Sequence, residues 1–376
     1  MTVRKPGRIG VSSARGPEVA SRVGLALGTA ITICFVTGLL SHWIQHPPGW
    51  FWWPASPVWL YRVTQGAHVI VGVAAIPLLL VKLWAVYPKL FQRPVIGSPL
   101  RILERGSIAL LVGATIFELS TGLFNIAQYY PWKFFFPTAH YAMAYIMAGA
   151  LVVHLAVKLP VIRAALSRPL DEAEPADRRH VSRRAVVRAT WLAAGVAVVA
   201  VAGQTVPFLR WASLLAPRSG VGPQGVPVNR SAAAAGISTA ALDPGYRLTV
   251  STGGRSRQFT RAELLALPQT SARLPIACVE GWSASAEWSG VRLRDLLAAV
   301  GSYRGGDVRL RSLETGGIYY SSVLPQRHAI DANTLIALAI NGETLELDHG
   351  YPCRLIAPNR PGVLQTKWLS TIEVLS

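Results

Sequence analysis

Residues 182–207 read SRRAVVRATWLAAGVAVVAVAGQTVP, and after Arg188 no charged residue occurs until Arg210. A run of that length and polarity can cross a bilayer, which takes about 20 residues. It also divides the chain. Upstream lie four more apolar runs, Val23–Ile44, Val63–Tyr87, Gly106–Ala127 and Ala139–Leu159, and downstream lies none. The whole chain agrees with this reading: of 376 residues 51% are hydrophobic and 15% charged, against about 25% charged in soluble domains. Three cysteines cannot build a disulfide scaffold, and the composition excludes a disordered or collagen-like chain.

The net charge of +18 falls as +13 up to Pro207 and +5 beyond it. Basic residues crowd the N-terminus (Arg4, Lys5, Arg8, Arg15, Arg22) and the second and fourth connections (Lys89, Arg93, Arg101, Arg105; Arg163, Arg168, Arg178, Arg179, Arg183, Arg184). The first and third connections, QHPPGWFWWPASPVWLY (45–61) and YYPWKFFFP (129–137), are aromatic and nearly free of Lys and Arg. Basic inner loops and interfacial aromatic belts predict a cytoplasmic N-terminus, five spans and a C-terminal part outside. The excess charge is therefore a topology signal, and nucleic acid is not an expected partner. Ser182–Arg188 resembles a twin-arginine export signal, which carries domains folded around a cofactor; plain flanking charge is the alternative. Ala200-Val201-Ala202 has the small residues of a cleavage site, but the expectation is an uncut tether.

Histidine in a bilayer is costly and marks function. His68 lies near the outer end of span two, and His140 lies at the outer end of span four. His154 follows fourteen residues after His140, about 40° short of four turns and about 21 Å along the axis. His68 and His140 make an outer pair suited to axial ligation of one haem b. His154, without an inner-half partner, is the candidate for a second haem, or else pairs with a helix hydroxyl or a quinone carbonyl. His42 and His46 end span one. The arrangement resembles the cytochrome b-type membrane subunits of bacterial formate dehydrogenases and nickel–iron hydrogenases over about Val23–Leu159. The resemblance implies haem b and exchange with quinone or quinol. It departs where span one carries Gly24 and Gly28 in place of an inner histidine.

Past Pro207 the pattern changes. Residues 208–238 are rich in Pro, Gly, Ala and Ser and read as a linker. Short alternating runs follow, YRLTV (246–250), DVRLRSL (307–313) and CRLIAP (353–358), with short helical patterns between, which predicts an α+β domain. Cys278 stands in CVEGWS, nine residues before the start of EWSGVRL, and thiolate is a soft ligand suited to a redox metal. These segments, with IALAINGETLELDHGYPCRLIAPNRPGVLQTKWLSTIEV from Ile336, strongly resemble the sulfite oxidase superfamily over about Asn229–Ser376. The resemblance implies molybdopterin, with Cys278 as the thiolate on molybdenum. It places His349 and Arg354 on the pterin and its phosphate, and has Gln365, Thr366 and Lys367 complete the anion site with backbone donors and an ammonium. Ser312 and Asn229 match more loosely. Val279–Trp282 replaces the arginine-bearing segment usual after the cysteine in sulfite oxidases and is closer to the bacterial methionine sulfoxide reductase catalytic subunit. Arg327, His328 and Arg360 remain as sources of charge for an anionic substrate. Cys353 and Cys34 read as packing residues.

The expected fold is therefore multi-domain: an all-α transmembrane bundle of five spans followed by an α+β sulfite-oxidase-like molybdopterin domain. The expected divisions are a tail (1–22), a four-helix cytochrome b-like domain (23–160), a basic cytoplasmic loop (161–185), the fifth helix (186–207), the linker (208–238) and the molybdopterin domain (239–376). The expected function is that of a bacterial inner-membrane oxidoreductase. It would exchange electrons with quinone through haem b and reduce a sulfoxide-like or other oxidised small substrate outside the membrane, with lipid as solvent and a separate redox protein as a further partner. The alternatives are a sulfite-type dehydrogenase passing electrons to quinone and a membrane module that keeps the fold without metal.

Overall fold

The computed structural model describes residues 15–90, 98–170, 181–216, 222–317 and 319–375. The basic positions Arg4, Lys5, Arg8, Arg93, Arg178 and Arg179 lie outside the described residues. Five long helices come first: α1 (Pro17–Gln45), α2 (Leu60–Leu90), α3 (Pro99–Ala127), α4 (Phe136–Leu166) and α5 (Arg183–Ala202). All five are long and apolar enough to cross a membrane. Their hydroxyls are satisfied within the helix, as an apolar surround requires: Thr29, Thr32, Thr115 and Thr190 each donate to the carbonyl four residues back.

The fifth helix ends at Ala202, short of the expected Pro207. There the chain folds back on itself. Val206 N–H bonds to the Ala202 carbonyl, and Gly203 N–H donates to Ser213 Oγ at 2.7 Å. A Cβ at position 203 would fall 2.7 Å from Arg210 Cα, so only glycine permits this approach.

The chain divides into two compact units, one of residues 1–38 and 67–201, the other of residues 39–66 and 202–376. In the first, Val19, Val23, Leu27, Ala75, Leu78, Ala114 and Met147 form a core shared by α1, α2, α3 and α4. Much of the remaining apolar surface of these helices faces outward, at Leu80, Val152 and Leu192 for example.

The second unit continues through α6 (Ala232–Ala235), α7 (Ser238–Leu242), β1 (Leu248–Thr252), β2 (Arg255–Phe259), α8 (Arg261–Ala266), β3 (Gln269–Ala277), β4 (Ser283–Arg292) and α9 (Leu293–Ala298). It finishes with β5 (Val308–Ser312), β6 (Ser321–Leu324), α10 (Gln326–Ala329), β7 (Leu335–Ile340), β8 (Glu343–Thr344), β9 (Arg354–Ile356) and β10 (Leu369–Val374). One sheet runs β2-β1-β10-β5-β6, the other β3-β4-β7-β8 with β9 also on β7. β1 pairs with β10 in parallel, and the other pairings are antiparallel. Alternating burial along β1 and β5 turns Leu248, Val250, Val308 and Leu310 into a core with Leu293, Leu296, Leu355 and Ile372.

Within the expected linker 208–238, the described stretch from 222 onward is packed. Val226 packs among the side chains of β3 and β4, and Ala232, Ile237 and Ala241 cover Trp368. The aromatic connection between α1 and α2 also belongs to this unit. Trp53 Nε1 donates to the Asn359 carbonyl at 2.9 Å, and Tyr61 N–H donates to Asn359 Oδ1 at 2.6 Å. Asn359 Nδ2 donates to the Pro54 carbonyl at 2.6 Å. Ile44 and Tyr61 bury against Ala277, with Phe51, Trp53 and Leu364 beside them. Trp50, Trp52 and Trp59 stay exposed, so only part of this run is free to serve as a belt.

Replacing Asn359 by Leu strands the Tyr61 N–H and the Pro54 carbonyl, each worth about 1–3 kcal/mol when buried. It also puts a branched side chain at a positive φ of 55°. The expected outcome is a lower unfolding midpoint with faster amide exchange at Tyr61. Asn359→Asp, which keeps the acceptor, should lose less.

Candidate active site

β3 and β4 pair from Gln269 opposite Val291 to Ala277 opposite Ser283, and the chain turns between them through residues 278–282. Gly281 takes the φ of 92° that the turn needs, and the Cys278 N–H closes it on the Trp282 carbonyl at 2.9 Å. Cys278 is buried at the head of this turn. Asn229 Nδ2 donates to its sulfur at 2.8 Å, and the backbone N–H groups of Glu280 and Val279 also donate to it. Trp282 Nε1 fixes the orientation of Asn229 by donating to its Oδ1 at 2.7 Å. Burial, reinforced by Glu280, nevertheless pushes the thiol pKa far up. Three N–H donors on one sulfur suit an anion, and burial disfavours that anion unless a positive charge joins it. The site thus has the chemistry of a thiolate that ligates a metal.

The turn is held from outside as well. Gln65 Nε2 donates to the Val279 carbonyl at 2.9 Å, and Thr205 Oγ1 donates to the Gly281 carbonyl at 2.6 Å. The Ser283 N–H bonds to the Gln204 carbonyl at 2.8 Å. Tyr319 lies close enough for Cys278 and Glu280 to raise its phenol pKa, after burial itself.

Asn229 leads directly to the second cluster. The carbonyl of its neighbour Arg230 accepts from Lys367 Nζ at 2.5 Å, and Lys367 also donates to the Asp348 carbonyl at 2.9 Å. Arg354 donates to the carbonyls of His349 (2.9 Å) and Gln365 (3.1 Å) and lies over the Trp288 ring. Gly350, at a φ of 109°, lets the chain pass: a Cβ there would fall 3.0 Å from Arg354 Cβ and 3.2 Å from Lys367 Cβ. Among the described residues neither Arg354 nor Lys367 forms an ion pair with a carboxylate. Burial pulls Arg354 down to about 9 and Lys367 to about 7, with Arg354 also acting on Lys367. Burial likewise holds His349 at about 4, and its Nε2 donates to the Pro223 carbonyl at 2.6 Å. A buried guanidinium and a half-buried ammonium, bonded to carbonyls and lying over Trp288 and Trp368, suit a phosphate.

Other expected members are placed differently. Gln365 spends its side-chain amide on Ala357, and its backbone N–H bonds to the Gly362 carbonyl; it orients Arg354 through its own carbonyl and is no free donor. Thr366 Oγ1 bonds to Ser322 Oγ at 2.6 Å. Ser312 Oγ accepts from the Glu314 N–H in a local turn. Cys353 is buried against Tyr246 Oη at 3.2 Å, and all three cysteines are free.

The other unit holds the histidine pair. His68 Nδ1 sits 3.0 Å from the Cys34 carbonyl and 3.1 Å from Thr37 Oγ1, and its Nε2 makes no hydrogen bond among the described residues. His140 Nδ1 contacts Thr121 Oγ1 at 3.0 Å, while its Nε2 meets Glu118 at 3.1 Å. The two rings lie 6.3 Å apart, centre to centre. A metal bonded to two imidazoles at about 2 Å each would separate their centres by roughly 6 Å. The ring spacing matches that separation, while the two planes meet at 71° and Glu118 occupies His140 Nε2. His154 makes no ring contact with another histidine among the described residues; Lys82, Lys158 and Glu104 are its charged neighbours. The rings of His42 and His46 lie 5.0 Å apart, tilted by 46°.

Residues 236–376 match the family model described as oxidoreductase molybdopterin binding domain. A protein of Azospira oryzae, provisionally named protein-methionine-sulfoxide reductase subunit YedZ1, is 33% identical over 31% of this chain and 43% of its own. The sulfite oxidase of Arabidopsis thaliana is 35% identical over 26% of this chain and 29% of its own, and the mitochondrial sulfite oxidase of Rattus norvegicus 29% identical over 36% and 30%. The chain spans less than half the length of each of these relatives. Among solved structures, the sulfane dehydrogenase SoxCD of Paracoccus pantotrophus aligns at 24% identity and a TM-score of 0.33, over 36% of this chain and 40% of that one. The C-terminal part is a molybdopterin-binding oxidoreductase domain of the sulfite oxidase type.

Gln65, Thr205 and Tyr319 carry no sequence signal for this site. Gln65 lies 214 residues from the carbonyl it holds, and nothing local to either residue records the pairing.

The depressed Lys367 pKa has a pH consequence. Its folded value of about 7 lies below the unfolded value of about 10.4, so the unfolded chain binds more protons between them. Cofactor-free protein should gain stability from this residue as pH rises from about 7 to about 10. The measured check is the difference in unfolding free energy between wild type and Lys367→Met across that window, which should narrow as pH rises if phosphate is absent.

Proposed function

We propose that this chain is a membrane-anchored oxidoreductase in which the domain at Cys278 exchanges electrons with quinone by way of haem b held by His68 and His140. The reading that fits best is reduction of an oxidised small substrate, sulfoxide-like or related, outside the membrane. The single observation that carries it is the buried Cys278 sulfur with three N–H donors directed at it. When bound, molybdopterin would supply two-electron oxygen-atom transfer and haem the one-electron steps.

The chain's own residues have definable parts. Cys278 would ligate molybdenum, with Asn229 and the backbone N–H groups of Val279 and Glu280 stabilising its charge. Arg354 and Lys367 would hold the cofactor phosphate, and His349 the pterin. Gln65 and Thr205 would keep the turn from shifting as the sulfur changes charge. Cys34 and Thr37 would fix the ring of His68 through Nδ1, leaving Nε2 for iron. Five spans with a cytoplasmic N-terminus would set the C-terminal domain outside, with Arg15, Arg22, Arg163 and Arg168 on the inner side. His154 would serve the quinone end, or a second haem.

A second reading, a sulfite-type dehydrogenase feeding quinone, draws on the named activity of the sulfite oxidase relatives and on the buried guanidinium of Arg360. Metal and haem analysis of the purified full-length chain tests the first reading. Wild type should carry molybdenum and b-type haem. His68→Ala should lose haem and keep molybdenum, and Cys278→Ala should do the reverse. Haem of the quinol-reduced protein should then reoxidise on addition of a sulfoxide. Reduction of the haem by sulfite would favour the second reading, and a folded chain without molybdenum would end both.

A further inference from the structure

The chain leaves α5 at Ala202 and makes a short 3₁₀ helix, Pro207–Ala212, before reaching Leu214 and Leu215. Three residues per turn put Phe208 and Trp211 on one face, and Leu214 follows at the same spacing. The other side of this segment is locked inward. Ser213 is buried; its Oγ accepts from the Gly203 N–H at 2.7 Å and donates to the Leu209 carbonyl at 3.0 Å. A Cβ at Gly203 would fall 2.7 Å from Ser213 Cβ, so the two stretches of chain touch. What is left outside is apolar: Phe208 is 75% exposed, Trp211 84%, Leu214 90% and Leu215 70%. Single exposed apolar side chains are ordinary, whereas a contiguous group of large ones marks an interaction surface.

Two observations name what covers it. The first is position. The segment is fastened to Gly203, the residue that follows a helix long and apolar enough to cross a membrane. The second is its neighbour. Gly66 lies on α2, and a Cβ there would fall 2.9 Å from Thr205 Cγ2. The connection that leads into α2 exposes Trp50, Trp52 and Trp59. Two adjoining segments through which long apolar helices run into this unit therefore both present tryptophan outward, the residue that favours a lipid–water boundary. Arg210 adds the matching charge: it is half-buried on the 3₁₀ helix, and its Nε has no hydrogen-bond partner among the described residues. A guanidinium beside exposed aromatic and aliphatic side chains suits phosphate headgroups above an acyl boundary.

We propose that residues 207–215 dock on the headgroup layer of the membrane, with Phe208, Trp211, Leu214 and Leu215 entering the acyl boundary. This rests on the reading above that the long helices cross a membrane. The same stretch of chain carries Gln204 and Thr205, whose carbonyl and hydroxyl hold the turn at Cys278. Lipid contact thus steadies the residues that steady this turn, and the membrane surface becomes part of its support.

The test is spin labelling of the full-length chain in vesicles of phosphatidylcholine and phosphatidylglycerol. Nitroxides are attached one at a time through Trp211→Cys and Leu214→Cys. Their relaxation is measured with oxygen, which partitions into lipid, and with a neutral nickel chelate, which stays in water. Leu192→Cys, outward-facing on α5, is the control for the span, and Ser256→Cys, exposed on β2, is the control for water. The unsubstituted chain, whose Cys278 and Cys353 are buried, gives the background. The expected oxygen-to-nickel ratio at both 211 and 214 is at least tenfold above that at 256. A ratio at either position equal to that at 256 overturns the proposal by placing the segment in water. Poor access for both reagents also overturns it, by placing a second copy or another protein on the patch. Lipid at 192 with water at 211 and 214 removes the docking surface alone, whereas water at 192 as well removes the membrane reading itself. If Trp211→Cys does not fold, Phe208→Cys takes its place.

Discussion

The Cys278 sulfur is the point on which the second unit turns. Burial drives its thiol toward the neutral form, while Asn229 and two backbone N–H groups favour the charged one. Left alone, that opposition costs stability, because donors are aimed at a charge the site does not hold. A bound metal resolves it by letting the sulfur be charged inside the protein. The same logic governs Arg354, which is buried, and Lys367, which is half-buried; both sit beside carbonyls and are brought together by the tight turn at Gly350. Each half of the site is a charge waiting for its opposite. Asn229-Arg230 joins the halves, one residue on the sulfur and the next on Lys367.

This arrangement also explains why a segment from the helical half of the chain lies inside the C-terminal unit. The turn at Cys278 is long enough to need its own carbonyls fixed, and β3 and β4 fix only its two ends. Gln65 and Thr205 hold the carbonyls between. Asn359 then ties the connection before Gln65 to the loop after β9 through three hydrogen bonds. An asparagine at a positive φ suits that role, since its short side chain reaches two backbone groups while tolerating the backbone conformation.

What the sequence discloses follows from the range of the forces involved. The five apolar helices are legible because length and apolar composition are written in every residue of a run, and their ends shift where local chemistry intervenes, as at Gly203. Cys278, Arg354 and Lys367 are legible because their motif segments are short and ordered along the chain. The 45–61 connection is not. Its tryptophans have the composition of an interfacial belt, and composition does not distinguish a ring facing lipid from one donating to Asn359. Residues 208–238 were equally opaque, since Pro, Gly and Ala suit a linker as well as the close packing of Ala232 and Ala241 beneath Trp368.

The histidines show the complementary case. Spacing along α4 places His140 and His154 on one face, yet only His140 has a histidine partner, because pairing depends on a second helix at the same depth. The Cys34 carbonyl and Thr37 Oγ1 give that partnership its direction by engaging His68 Nδ1, although Cys34 reads in sequence as a packing residue. Glu118 adds a constraint of its own. It rests on the nitrogen that iron would need, so ligation and the Glu118 contact exclude each other. A carboxylate displaced from an imidazole in an apolar bundle must find another proton or cation. On the proposed haem reading, iron at His140 would leave Glu118 to be neutralised by a proton or another cation.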